Sequence, residues 1–115
     1  MQGSNLFEYA IIRYVPRPER EEFLNIGVIL YCSSMKFLDM RFALNENRIN
    51  SFYANPNLDE LATFLAAFKQ VCCGTSKDSP IAKLDIASRF RWLTATRSTI
   101  VQTSKVHPGL CEDPE

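Results

Sequence analysis

The sequence predicts an α+β fold: a mainly antiparallel sheet of four to six strands with two or three helices packed on one face. Three observations predict it. Residues 6–44 hold three runs rich in branched and aromatic residues. The middle of the chain holds two segments whose apolar residues recur at helical spacing. The last third returns to short, strand-like runs. Strands, then helices, then strands is the order of an α+β sheet and not of alternating βαβ units.

The first run, Leu6 to Val15, puts Phe7, Tyr9, Ile11 and Arg13 on one face and Ala10, Ile12 and Tyr14 on the other, the period of a strand. Pro16-Arg17-Pro18 stops it, because proline cannot donate to a ladder. Glu22 to Cys32 is apolar on both faces and reads as a central strand. Asn25 and Gly27 interrupt it, and a glycine inside a strand marks a bulge or a close backbone approach. Ser33-Ser34-Met35 makes a tight connection to Phe37–Leu44. There Leu38, Met40, Phe42 and Leu44 oppose Asp39 and Arg41. These three strands form an antiparallel meander with one apolar face for helices.

Glu46 to Ala54 carries Ile49, Phe52 and Tyr53 at helical spacing, and Asn55-Pro56 ends it. Asn57 with Glu60 three residues on is a capping-box pattern, and the two acids Asp59 and Glu60 suit the positive start of a helix. Leu58, Leu61, Leu65 and Phe68 give the apolar stripe of that second helix, and Gly74 is its natural stop. Ile81 to Ile86 reads as a turn of helix or an irregular edge. Phe90–Leu93 and Ser98–Thr103 read as two short strands joined as a hairpin by residues 94–97. The tail from Pro108 has no periodicity and stops abruptly, as a trimmed chain would. One domain over residues 1–115 is expected, cut short at its C-terminus.

Composition agrees with a globular domain: 115 residues, 46% hydrophobic, with eight Phe and four Tyr. Thirteen basic and thirteen acidic side chains leave no net charge, which removes any global electrostatic case for nucleic acid or membrane. Locally the chain is less even: Lys83, Arg89, Arg91, Arg97 and Lys105 face Asp85 as the one acid in that stretch. The N-terminus lacks the basic start and apolar core of a signal peptide. The apolar run Ile26–Tyr31 is far too short to span a bilayer. The four cysteines, Cys32, Cys72, Cys73 and Cys111, make no C-x-x-C, so zinc and redox spacings are missing. A cytoplasmic protein with free thiols is expected, with Cys32 in the core.

No catalytic set, cofactor motif or metal spacing is legible. His107 is the one histidine and stands before a proline, where a surface or capping role is the simpler reading. The four glycines fall in no phosphate-loop pattern. The strongest remaining signal is Ser88-Arg89-Phe90-Arg91-Trp92. Read as a strand, it puts Arg89, Arg91 and Leu93 on one face and Phe90 and Trp92 on the other. Arginine forks suit phosphate or carboxylate. Arg13 and Arg41, each inside a strand-like run, would join them if the strands were neighbours. The candidate anion or partner surface is therefore Arg13, Asn25, Arg41, Arg89, Arg91, Arg97 and Ser98.

Tyr9-Ala10-Ile11-Ile12-Arg13-Tyr14-Val15-Pro16 and Arg20–Leu30, followed by Ser88–Ala95, Arg97-Ser98-Thr99 and His107-Pro108-Gly109-Leu110, resemble bacterial proteins catalogued as domain of unknown function 3037. The resemblance spans nearly the whole chain and brings no established activity or catalytic residue. Some members are encoded beside HipA-like kinase proteins, which implies a kinase-like partner. Three functions are carried forward. The first is a non-enzymatic protein-binding or adaptor domain, partner of a HipA-like kinase. The second is an anion- or nucleic-acid-binding module using the basic segment. The third is an enzyme acting on a phosphorylated small molecule.

Overall fold

The computed structural model describes residues 5–17, 22–53, 57–75, 80–95 and 99–111. Its centre is strand β1, Asn5–Tyr14, which is paired along both sides. On one side it meets β2, Leu24–Cys32, antiparallel, and β3, Phe37–Phe42, continues the meander beyond β2. On the other side lie two short antiparallel strands from the end of the chain, β4, Val101–Thr103, and β5, His107–Cys111.

Three helices, α1 (Glu46–Phe52), α2 (Leu58–Cys73) and α3 (Ile86–Leu93), cover one face of this sheet. Ala10, Ile12 and Tyr14 of β1, with Ile29, Tyr31 and Met40, form one buried cluster with Ile49, Leu61, Leu65, Phe68, Phe90 and Leu93 of the helices. Each large apolar side chain taken out of water there contributes roughly 1.5–3 kcal/mol. The Asn57 cap and the Gly74 stop of α2 are those the sequence predicts, and Asn45 caps α1 in the same way. Asn45 and Asn57 accept hydrogen bonds from the Arg48 and Glu60 amides, and Gly74 ends α2 in the left-handed conformation, with φ 70°.

Gly27 answers to both expectations for a strand glycine. The β1–β2 register shifts between Ile12 and Arg13, so that Ile12 faces Gly27 and Arg13 faces Asn25, which leaves Ile26 as the extra residue of a bulge. Ile26 is buried in the core. A Cβ on Gly27 would stand 2.7 Å from that of Phe42 and nearer still to the Arg41 carbonyl oxygen. The bulge thus turns Ile26 into the core beside a position that admits no side chain.

Two readings of the last third are corrected. Phe90–Leu93 is not a strand but part of α3. Asp85 caps it by accepting from the Ser88 amide at 2.9 Å, and Ile86, Phe90 and Leu93 recur at helical spacing toward the core. Six alternating residues fit either period, and the cap decides. Thr94 is then the C-cap of that helix and not the start of a hairpin, while Ile81–Lys83 is a single 3-10 turn. The tail is not wholly irregular, since His107–Cys111 pairs with β1. Of the predicted Ser98–Thr103 strand, Val101–Thr103 is a strand.

Ser104 joins β4 to β5. Its amide donates to the Ile11 carbonyl at 2.8 Å, and its hydroxyl accepts from the Ile11 amide at 2.8 Å. The side chain stands in for a backbone carbonyl where the two strands break, and Ser104 is buried. Ser104→Ala leaves the Ile11 N–H unsatisfied at the centre of the sheet. It should lower stability by about 1–3 kcal/mol, read as a fall in the urea midpoint with an unchanged slope.

Candidate functional site

The helices lie on one side of the sheet, so the residues that alternate with the core ones face the other way. On β1 these are Phe7, Tyr9, Ile11 and Arg13; on β2 they are Val28 and Leu30; on β3 they are Asp39 and Arg41. An antiparallel sheet with one free face normally turns polar residues outward. Here the middle of the free face is apolar. Phe7, Tyr9, Ile11, Val28 and Leu30 are all half-buried and no described helix packs over them.

Aromatic rings run along one margin of this open face. The Tyr9 ring lies 5.9 Å from that of Phe7 and 5.4 Å from the imidazole of His107 across the β1–β5 ladder. Phe7 faces Gly109 in the pairing, and its ring occupies the space that a side chain at 109 would need. His107 is therefore an exposed strand residue whose ring lies tilted beside that of Tyr9.

The bulge end of the face carries the charge. Arg13 lies between Asn25 of β2 and Gln102 of β4, with its guanidinium over the Phe23 ring at 4.0 Å. Its Nε is buried and has no hydrogen-bond partner. Asn25 is exposed, and its carbonyl accepts from Arg48 Nη1 at 2.9 Å. Arg41 is exposed on β3, opposite Val28.

The other arginines sit on the opposite side of the sheet. Arg91 donates from both Nη atoms to the Glu8 carboxylate, at 2.7 and 3.2 Å, which ties α3 to β1 in a bidentate pair. Arg89 Nη1 donates to the Leu84 carbonyl at 2.8 Å. The two pairs of arginines therefore do not come together: Arg13, Asn25 and Arg41 share the open face, while Arg89 and Arg91 belong to the helical layer. Arg97 and Ser98 lie outside the described residues. The split follows from α3 being a helix, since a strand at 88–93 was the premise for placing all four in one sheet.

Two of the outer strands, β3 and β5, each carry one feature that opposes strand addition. On β3 the Met40 amide donates to Asp39 Oδ1 at 2.8 Å, and the Met40 carbonyl accepts from Lys69 Nζ at 2.6 Å. Lys69 also pairs with Asp39 at 2.6 Å. The edge groups of Met40 are thus taken up, its amide by Asp39 and its carbonyl by Lys69 of α2. On β5, Pro108 has no N–H to offer an incoming strand. Sequence reasoning missed this clamp, because Asp39 and Lys69 are brought together only by the docking of α2 on β3.

Among the described residues no group of three or more His, Cys, Asp or Glu side chains could hold a metal ion, and no helix is long and apolar enough to cross a membrane. Cys32 is fully buried, with its thiol 3.5 Å from the Leu6 carbonyl. Cys72 is buried as well, whereas Cys73 is exposed. A shallow cleft lined by Tyr31, Ser33, Lys36, Asp85, Ile86 and Ala87 opens beside the start of α3.

With five strands in this order and three helices on one face, the class is an α+β domain whose other sheet face is covered by no described helix. The chain belongs to the family described as protein of unknown function DUF3037, whose model matches residues 9–115. No curated protein and no solved structure matches it.

Two predictions follow the electrostatics. Burial pushes the Asp39 carboxyl up, but the Lys69 ammonium, the Met40 amide and Arg41 together more than offset this, and its pKa lies below the ordinary value. The unfolded chain therefore takes up a proton on this group before the folded one does. The stabilisation is complete above about pH 4 and is lost as the pH falls through the folded value. Both partners are one-third or more exposed, so the contribution is at most about 1 kcal/mol. Asp39→Asn should lower the urea midpoint at pH 7 and flatten its decline below pH ~4. Burial also pushes the Cys72 thiol up to about 12, with the neighbouring Cys73 adding to it. Iodoacetamide mapped by mass spectrometry should label Cys73 in the native protein and reach Cys72 only on unfolding.

Proposed function

We propose that this chain is a non-enzymatic binding domain, an adaptor that receives a protein partner on the open face of its sheet. The observation that carries the reading is the apolar middle of that face. Phe7, Tyr9, Ile11, Val28 and Leu30 point away from the helical layer with no described helix over them. Exposed contiguous apolar surface marks interaction sites in soluble proteins. The features of β3 and β5 that oppose strand addition favour docking on the face. A HipA-like kinase, in the bacterial cytoplasm, is the partner that the family resemblance suggests.

The arginines of α3 give little support to an anion site or to an enzyme clamping a phosphorylated substrate. Arg91 already holds Glu8 through both terminal nitrogens, and Arg89 caps a carbonyl of its own segment. A phosphate would have to compete with these internal acceptors.

Isothermal titration of the chain with a purified HipA-like kinase encoded beside a family member tests the reading. Val28→Glu puts a charge in the apolar middle of the face and should weaken binding about tenfold or more, with the circular dichroism spectrum unchanged. Unchanged affinity in Val28→Glu, with loss of binding in an α3 variant such as Arg91→Ala, would place the interaction on the helical side and sink the proposal.

A further inference from the structure

This inference concerns the helical side of the sheet and does not depend on the docking face. We propose that the cleft between the β2–β3 turn and the start of α3 binds a small monocarboxylate with a short aliphatic tail.

The cleft measures about 390 Å³ and is lined by Tyr31, Ser33 and Lys36 from the strand and turn, and by Asp85, Ile86 and Ala87 from the helix start. What distinguishes it is a surplus of hydrogen-bond donors. In α3 the Ser88 amide is taken by Asp85 Oδ1 and the Arg89 amide by the Asp85 carbonyl. The first-turn amides left over are those of Ile86 and Ala87, the two apolar residues of the lining. The turn adds Ser33 and Lys36, both exposed. Among the described residues Lys36 makes no ion pair.

Tyr31 is the observation that points to a ligand. It is 8% exposed, and its ring is packed on that of Phe90 with centroids 5.1 Å apart. A buried phenol ordinarily finds a partner for its hydroxyl. Among the described residues this one has none, and the side-chain atoms sealed in without a partner are Nε of Arg13 and Nε of Arg89. The Tyr31 hydroxyl therefore reaches solvent through the cleft that the residue lines. Lys36 stands at the same cleft with a φ of 51°, in the left-handed region that glycine and asparagine favour.

Donors without acceptors call for an acceptor. The one acid of the lining, Asp85, is committed to the Ser88 amide. Its charge also limits the charge of the ligand. A dianionic phosphate monoester would meet like-charge repulsion from Asp85, whereas a single carboxylate is matched by Lys36. Two carboxylate oxygens offer lone pairs for the free amides, the ammonium and the phenol. Ile86 and Ala87 are half-buried and leave apolar surface for the tail.

The test is an amide-resolved NMR titration of the full chain with sodium hexanoate. Saturable shifts at Ser33, Lys36, Ile86 and Ala87 are expected, with a Kd of about 1–10 mM. Hexanamide, the neutral counterpart, should bind at least about tenfold more weakly, and inorganic phosphate likewise. Lys36→Gly should weaken hexanoate about fivefold or more while leaving the melting temperature unchanged or higher. Tyr31→Phe keeps the ring on Phe90 and should weaken it about threefold or more. Asp85→Asn keeps the helix cap, removes the charge and should admit phosphate. Hexanamide binding as tightly as hexanoate would overturn the carboxylate chemistry. Phosphate binding more tightly than hexanoate to the unaltered chain would overturn the limit on charge. Binding unchanged in both Lys36→Gly and Tyr31→Phe, shifts confined to the open face, or no saturation by about 50 mM hexanoate would overturn the site itself.

Discussion

Everything in this fold depends on both sides of β1 being paired. Its first neighbour, β2, follows it through a short connection. Its other neighbours, β4 and β5, come from the far end of the chain. The ladder on that side survives its own interruption because Ser104 supplies a hydroxyl where the strand breaks. A buried Ile11 amide without that acceptor would cost about as much as any single core contact contributes. With β1 fixed, alternation does the rest: Ala10, Ile12 and Tyr14 face the helices, and Phe7, Tyr9, Ile11 and Arg13 are bound to face the other way.

That division produces the functional surface. The described helices bury one side and leave the other without a helix over it. Strand addition is opposed at Met40 of β3, where Lys69 and Asp39 take up its edge groups, and at Pro108 of β5. What remains open is a face whose apolar middle is flanked by Arg13 and Arg41. The same physics separates the arginines into two groups. On α3, Arg91 ties the helical layer to the sheet and Arg89 bonds a carbonyl of its own segment, while those on the strands point outward.

The first three strands and first two helices were legible because their patterns are long and their ends are chemically marked. Pro16 follows the end of β1, Asn57 and Gly74 bracket α2, and Gly27 announces both a bulge and a close approach. The last third was harder for physical reasons. Residues 88–93 are too few to separate a period of 2 from one of 3.6, and the signal that separates them, Asp85 three residues before Ser88, is a single side chain. Strand β5 contains Pro108 and Gly109, both poor strand formers, and it exists because an edge tolerates a missing donor and Phe7 covers the glycine. The members of the candidate surface could be named from the sequence, but their grouping could not. It depends on register and on which layer α3 joins, and both are set by contacts between residues far apart in the chain. The pairing of Tyr9 with His107 is of the same kind.

The account claims above all that the described helices cover one sheet face and not the other. Solvent paramagnetic relaxation measures this directly, with a soluble gadolinium chelate and methyl-resolved spectra. Ile11 and Ile12 are adjacent on β1 and face opposite ways, as do Val28 and Ile29 on β2. The structure predicts strong enhancement at the Ile11, Val28 and Leu30 methyls and almost none at Ile12 and Ile29. Equal protection of both sets would mean that the open face is already covered, and would contradict the account.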